Sequence, residues 1–192
     1  MHIVLISTYE LGHQPFGLAS PAAWLKAAGA QVACLDLAME SLCPKAIAAA
    51  ELVAFYLPMH TATRLAAAEI PTIRQINPRA HICCYGLYAP INEMFLRKLG
   101  VATILGGELE TGLVALFRRL AATSSGPARL PAPTLPQVEP RVLLDRQRFI
   151  APDRSGLPGL SAYAYVQLPD GAQRTSGYTE ASRGCKHQCR HC

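Results

Sequence analysis

The sequence has little charge and few aromatic rings: charged residues make up 16% of it and aromatics 7%, against 51% hydrophobic residues. That balance excludes a charge-swollen disordered chain and asks for a large buried core. The loops that cradle phosphates are missing. The turn after the first apolar run reads Ser7-Thr-Tyr-Glu-Leu-Gly12-His-Gln-Pro-Phe-Gly17, which is not G-x-G-x-x-G, and G-x-x-x-x-G-K-[ST] occurs nowhere. Dinucleotide and P-loop sites are thereby excluded. A phospho-receiver needs paired acids after its first strand and a lysine after its last, and neither is in place. No apolar run is long enough to span a bilayer, since the stretch Ala46 to Met59 is short and broken by Glu51. The N-terminus, Met-His-Ile-Val-Leu-Ile-Ser, lacks the apolar segment of a signal peptide. The net charge of +5 sits partly at Arg183, Lys186 and Arg190, and there is no basic stripe with interleaved aromatics. Neither a membrane nor a nucleic acid is expected as a partner.

Cysteines number seven, and three of them fall within the last eight residues, too close together for a disulfide framework. That spacing points to a reducing cytoplasm and to metal ligation. Cys34, Cys43, Cys83 and Cys84 lie in or near apolar runs and read as small buried hydrophobes.

What is present is an alternation of short apolar runs and helical patterns. Strands are predicted at 3–6, 32–35, 52–57, 81–85 and 101–105. The helix after the first strand is expected to start at Ser20-Pro21, with Ser as N-cap and Pro in the first turn, and to stop near Gly29. Residues 60–76 carry a helical period that Pro71 should kink or split. Further helices are predicted over 92–99 and 108–120, the latter with Leu113, Leu116, Phe117 and Leu120 on one face. Strands and helices in this order predict an α/β fold: a five-stranded parallel, Rossmann-like (flavodoxin-like) sheet over residues 1–121. Ligands of such sheets bind beyond the carboxyl ends of the strands. This directs attention to the loops 8–17, 58–63, 86–91 and 106–110. Residues 122–140 are rich in Pro, Ser and Ala and read as a linker. Residues 141–192 form a second segment, with short strands expected at 160–167 and 177–181 about the turn Pro169-Asp170-Gly171.

The C-terminal residues read Cys185-Lys-His-Gln-Cys189-Arg-His-Cys192, a C-x3-C-x2-C spacing introduced by Ser182-Arg183-Gly184. Three thiolates this close can hold three irons of a [4Fe–4S] cluster and leave the fourth open to a ligand. A Cys3His zinc site using His187 or His191 is the alternative, although both histidines fall between the cysteines rather than at zinc-finger spacing. Three ordinary cysteines are the remaining reading.

The motif, with its Ser-Arg-Gly-Cys lead, resembles that of the radical S-adenosylmethionine (SAM) superfamily, where it closes the first strand of a (β/α) barrel. The resemblance implies that Cys185, Cys189 and Cys192 ligate the cluster and that the free iron takes SAM. It further implies that an electron from a donor such as flavodoxin or ferredoxin cleaves SAM to a 5′-deoxyadenosyl radical. His191 stands where the family usually has a carbocyclic aromatic. On this resemblance, residues 141–192 are the beginning of the barrel, and the chain is the front part of a longer enzyme, inert by itself.

Residues 1–121 in turn resemble the cobalamin-binding domain that precedes many such barrels. The likeness lies in Glu51-Leu-Val-Ala-Phe-Tyr, in His81-Ile-Cys-Cys-Tyr-Gly86, and above all in Ile104-Leu-Gly106-Gly107-Glu108-Leu-Glu110. The resemblance implies that Gly106 and Gly107 let backbone approach the corrin's nucleotide tail, with Glu108 opening the helix that follows. Some cobalamin domains supply a cobalt ligand from D-x-H-x-x-G. Here the nearest string, Glu10-Leu-Gly-His13-Gln-Pro-Phe-Gly17, has Glu for Asp and a different His-to-Gly spacing. His13 is therefore expected as a loop histidine lining the cleft, with cobalt ligation as the alternative, and Gly17 as a cofactor-binding residue of the same loop. The opening 6–25 is similar to a subgroup named for a CUAEP or CCAEP tail. The rival function is a non-catalytic cofactor- or partner-binding module whose cysteines hold zinc.

Overall fold

The computed structural model describes residues 1–124, 142–148 and 150–180. Cys185, Cys189 and Cys192 lie outside the described residues, as do most of the expected linker and Ala181.

Six strands form one parallel sheet: β1 (His2–Ser7), β2 (Gln31–Asp36), β3 (Leu52–Tyr56), β4 (His81–Tyr85), β5 (Thr103–Gly107) and the two-residue β6 (Val142–Leu143). Their order is β2-β1-β3-β4-β5-β6, the flavodoxin-like topology, with the order reversing between β1 and β3. The alternation of side chains along each strand splits the core in two. Ile3 and Leu5 face α1 (Phe16–Ala27) and the helix that follows β5, here α6 (Leu109–Ser124). Val4 and Ile6 face the opposite layer. That layer holds α2 (Pro44–Ala49), α3 (His60–Ile76), α4 (Tyr88–Ile91) and α5 (Glu93–Lys98), with Ile70 and Ile73 as anchors.

The structure departs from the sequence reading at several points. Helix α1 begins at Phe16, four residues before the expected cap, so Pro21 lies inside it. Ser20 is no cap: its hydroxyl donates to Oε1 of the fully buried Glu110 at 2.7 Å, tying α1 to α6. Pro21 has no N–H to give to the carbonyl one turn back, that of Gly17. The Tyr85 hydroxyl supplies the missing donor, at 2.8 Å from the Gly17 oxygen. In α3, Pro71 neither splits nor ends the helix. Helix α2 was hidden in a run read as apolar chain. The helix predicted over 92–99 is α5, and the short α4 before it, ending at Ile91, was not expected.

The sheet gains its sixth strand from beyond the linker: Gly106 pairs with Val142 and Gly107 with Leu143, and the Glu108 N–H donates to the Leu143 carbonyl at 2.7 Å. The chain then runs back over the front domain. Lys26 meets Asp153 at 2.6 Å, and this contact holds the Asp153 carboxyl well below the usual carboxylate range. Tyr163 donates to Asp36 at 2.9 Å. Arg154 bridges Oε1 of Gln14 and the carbonyl of Tyr178, each at 2.6 Å. An antiparallel hairpin, β7 (Tyr165–Gln167) and β8 (Gln173–Thr175), turns at Gly171 with φ 83°. Its second strand ends before residue 177, and 177–180 lies outside any strand.

The Pro21–Gly17–Tyr85 arrangement yields a double-mutant test. Tyr85→Phe orphans a buried carbonyl and should cost about 1–3 kcal/mol in urea unfolding. Pro21→Ala restores an intrahelical N–H to that carbonyl, so the Tyr85→Phe penalty should be smaller in the Pro21→Ala background. Equal penalties in both backgrounds would contradict the assignment.

Candidate ligand cleft

At the carboxyl ends of β1, β3, β4 and β5 the structure opens a cleft of about 640 Å³. All four loops singled out from the sequence contribute: Glu10, Leu11 and His13 from the first, Pro58 and Met59 from the second, Gly86, Leu87, Pro90 and Ile91 from the third, Gly107 and Leu109 from the last. The remaining wall comes from Val142 and Leu144 at the sheet edge and from Tyr178 and Glu180. Leu11, Leu87, Ile91 and Leu144 are exposed, so the mouth has an apolar rim.

The loop after β1 makes its turn at Leu11 and Gly12, both with positive φ (53° and 79°), closed by the His13 N–H to the Glu10 carbonyl at 2.9 Å. Positive φ at both central positions is the signature of a type I′ turn. For Leu11 this left-handed conformation costs about 1–2 kcal/mol. The Ala164 N–H holds the turn from outside through the Gly12 carbonyl at 2.9 Å.

The predicted site residues divide. His13 and Gly107 line the cleft; Gly17, Gly106 and Glu108 are not among its lining residues. The His13 ring stacks on Tyr178 with centroids 5.3 Å apart, and its Nδ1 is buried without a hydrogen-bond partner. Gly17 is a packing glycine: a Cβ there would stand 2.2 Å from the Tyr56 ring. Gly107, at φ 65°, is pressed against β6, where a Cβ would stand 1.9 Å from the Leu143 carbonyl oxygen. The room these glycines leave is thus filled by protein. Gly106 is buried in β5, and the Glu108 carbonyl accepts from Gln147 at 2.9 Å.

Four contributors were not foreseen. Tyr56 closes the cleft floor and donates its hydroxyl to Glu180 at 2.8 Å. Tyr178 and Glu180 come from a segment that the sequence ties to nothing nearby. Glu10 is 6% exposed, and its Oε2 has no hydrogen-bond partner. Burial pushes the Glu10 carboxyl up to about 8, assisted by the negative charges of Glu180 and Asp36. The one sequence signal for Glu10 was an acid in an otherwise uncharged loop. Asp36 is also raised by burial, against the opposing hydrogen bond from Tyr163. Among the described residues no group of three or more His, Cys, Asp or Glu could hold a metal ion. Cys34, Cys83 and Cys84 are buried and in no disulfide, and Cys43 is half-buried. No described helix is long and apolar enough to cross a membrane.

No protein-family model matches the sequence, and no curated protein sequence matches it. Solved structures do share its fold. The cobalamin- and [4Fe–4S]-bound structure of TsrM, a radical SAM methyltransferase from Kitasatospora setae, superposes on 64% of this chain with a TM-score of 0.54 at 15% identity. The same enzyme with tryptophan and a SAM analogue gives 0.53 at 14%. A flavodoxin-like domain from Synechococcus aligns at 0.38, too low to weigh. The matched region spans 26% of the TsrM chain. At this identity the likeness establishes a shared fold.

The buried acid gives a stability prediction. Glu10 has a folded-state value raised from 4.5 to about 8, so the fold favours its neutral form. Below the unfolded value the carboxyl is neutral in both states and adds no pH dependence; stability is then lost as pH rises toward and through the folded value, by at most about 1.4 kcal/mol per pH unit. Glu10→Gln removes this dependence. Its melting temperature should match the parent's near pH 4, exceed it increasingly up to about pH 8, and hold a constant lead above that. A lead that does not change with pH would refute the assignment.

Proposed function

We propose that this chain is the front part of a radical SAM enzyme, with a cobalamin-binding-like domain ahead of the loop in which Cys185, Cys189 and Cys192 hold a [4Fe–4S] cluster. The observation that carries the reading is C-x3-C-x2-C following this particular fold. The motif by itself leaves zinc open, and the fold by itself serves many chemistries. The reading is supported by the fold shared with TsrM, a radical SAM methyltransferase whose structure holds cobalamin and a [4Fe–4S] cluster.

The residues present fit a corrin in part. A broad flat ring with apolar faces suits a cleft floored by Tyr56 and Pro58 and rimmed by Leu11, Leu87, Ile91 and Leu144. His13 carries the only imidazole among the described lining residues, and its Nδ1 is unpartnered. A nucleotide tail finds no room at Gly17 or Gly107, because Tyr56 and Leu143 fill it. The ring is therefore assigned to the mouth of the cleft, with no tail threaded past those glycines.

When bound, the cluster supplies the electron that cleaves SAM, and a corrin supplies a carrier for a methyl group. The chain's own part is to bind and exclude. Cys185, Cys189 and Cys192 would hold the cluster, which would supply an iron open to SAM. The apolar rim sheds water from the cleft, and Glu10, neutral at pH 7, adds no charge to it. A small one-electron protein such as flavodoxin or ferredoxin is the proposed reductant, and a reducing cytoplasm the proposed setting.

Anaerobic reconstitution of the chain with iron and sulfide tests the cluster. A brown protein with a broad charge-transfer band is expected, and Cys185→Ala should lose it. Stoichiometric zinc that resists displacement by iron would overturn the reading in favour of a zinc-holding binding module. Hydroxocobalamin should be retained through desalting, and its complete loss would remove the corrin from the proposal.

A further inference from the structure

The loop after β1 concentrates the unfavourable local features of the cleft. Among the described residues Leu11 is the only one besides glycine with positive φ, and Oε2 of Glu10 and Nδ1 of His13 are buried without partners. Such features persist only where the surrounding structure imposes them. Here the returning segment imposes them at three points. The Ala164 N–H holds the Gly12 carbonyl at 2.9 Å, Arg154 holds Oε1 of Gln14 at 2.6 Å, and the Tyr178 ring lies on the His13 ring with the planes 23° apart.

The third point is built to come apart. Ser176 is anchored by its N–H to the Ala164 carbonyl at 3.2 Å. Gly177 follows, and no atom lies within 4 Å of where its Cβ would stand, so the chain has room to swing there. Beyond it, Arg154 donates to the Tyr178 carbonyl at 2.6 Å and the Tyr56 hydroxyl to Glu180 at 2.8 Å. None of residues 177–180 is fully buried, so lifting them exposes little apolar surface. Tyr178 thus gives His13 what a flat ligand would give it, a ring against the imidazole face.

We propose that residues 177–180 are a strap that closes the cleft with the protein's own ring: Tyr178 takes the face of His13 that a flat ligand uses, Gly177 is the hinge, and Arg154 is the latch. The inference rests on the cleft being a ligand site, as read above, and does not require that the ligand be a corrin. A site whose open form is a minority binds with an affinity reduced by that fraction. Weakening the latch therefore improves binding, whereas weakening a fixed wall impairs it.

The probes are hydroxocobalamin and Nile red, an uncharged flat dye, each mixed with the full chain by stopped flow. Arg154→Ala, which removes the latch without touching the cleft lining, should speed association about tenfold and leave dissociation unchanged, so that the dissociation constant falls about tenfold. Tyr56→Phe, which drops the hydroxyl contact to Glu180 and keeps the ring, should shift association the same way by about threefold, and it serves if melting curves show that Arg154→Ala does not fold. Amide hydrogen exchange over 177–180 should be faster in the complex than in the free chain. Weaker binding through faster dissociation in Arg154→Ala, or slower exchange over 177–180 in the complex, would overturn the proposal and make the segment a fixed wall. Should hydroxocobalamin fail to bind while Nile red behaves as expected, the corrin falls and this inference stands. Should both probes bind the parent with association unchanged in the two variants, this inference falls alone. Binding of neither probe to parent or variants would bring down the ligand site and the strap together.

Discussion

The contact on which the rest of the structure depends is the seating of α1 on two tyrosines. Tyr56 and Tyr85 are paired across β3 and β4, with ring centroids 5.5 Å apart. One ring fills the space that Gly17 leaves open, and the other's hydroxyl takes up the carbonyl that Pro21 deprives of its helical partner. A proline in the middle of a helix ordinarily costs about 3 kcal/mol or more. Here the freed carbonyl becomes the point at which the helix is bonded to the sheet. Because the loop from β1 into α1 is thereby fixed at its far end, Glu10 and His13 are held over the carboxyl edge of the sheet.

The returning segment, residues 142–180, completes what the sheet begins. It pairs at the edge through Val142 and Leu143 and clamps α1 through Asp153 and Lys26. It then lays Tyr178 against His13 and Glu180 against the Tyr56 hydroxyl. Its last contacts place a second carboxylate near Glu10, and that is part of why Glu10 stays protonated. The cleft combines the apolar lining typical of small-molecule sites with a few polar groups, Glu10, His13 and Glu180 among them.

Much of the fold was legible in the sequence. The five apolar runs became β1 to β5 in a parallel sheet of the expected class, and the four loops chosen by the rule for parallel sheets all line the cleft. What escaped was tertiary. Ser20-Pro21 looks like a helix start by local chemistry, and only the Tyr85 hydroxyl, distant in sequence, makes Pro21 tolerable inside the helix. Gly107 and Gly17 were expected at a cofactor, whereas Leu143 and Tyr56 occupy the room beside them. A sixth strand of two residues beyond a Pro-rich stretch has too little pattern to be seen. Glu10 was visible as an uncommon acid; its protonation depends on Glu180 and Asp36, brought to it by folding.

The two sides of the cleft are far apart along the chain. The fifth strand is complete at Gly107, whereas Tyr178 and Glu180 are added much later. On a ribosome adding about 5–20 residues per second, the interval is roughly 4–15 s. During it the nascent domain has its first five strands, gains β6 part-way, and holds an open, half-walled groove with an apolar floor. The cleft is therefore closed only late in synthesis, and until then that surface is what a chaperone would meet.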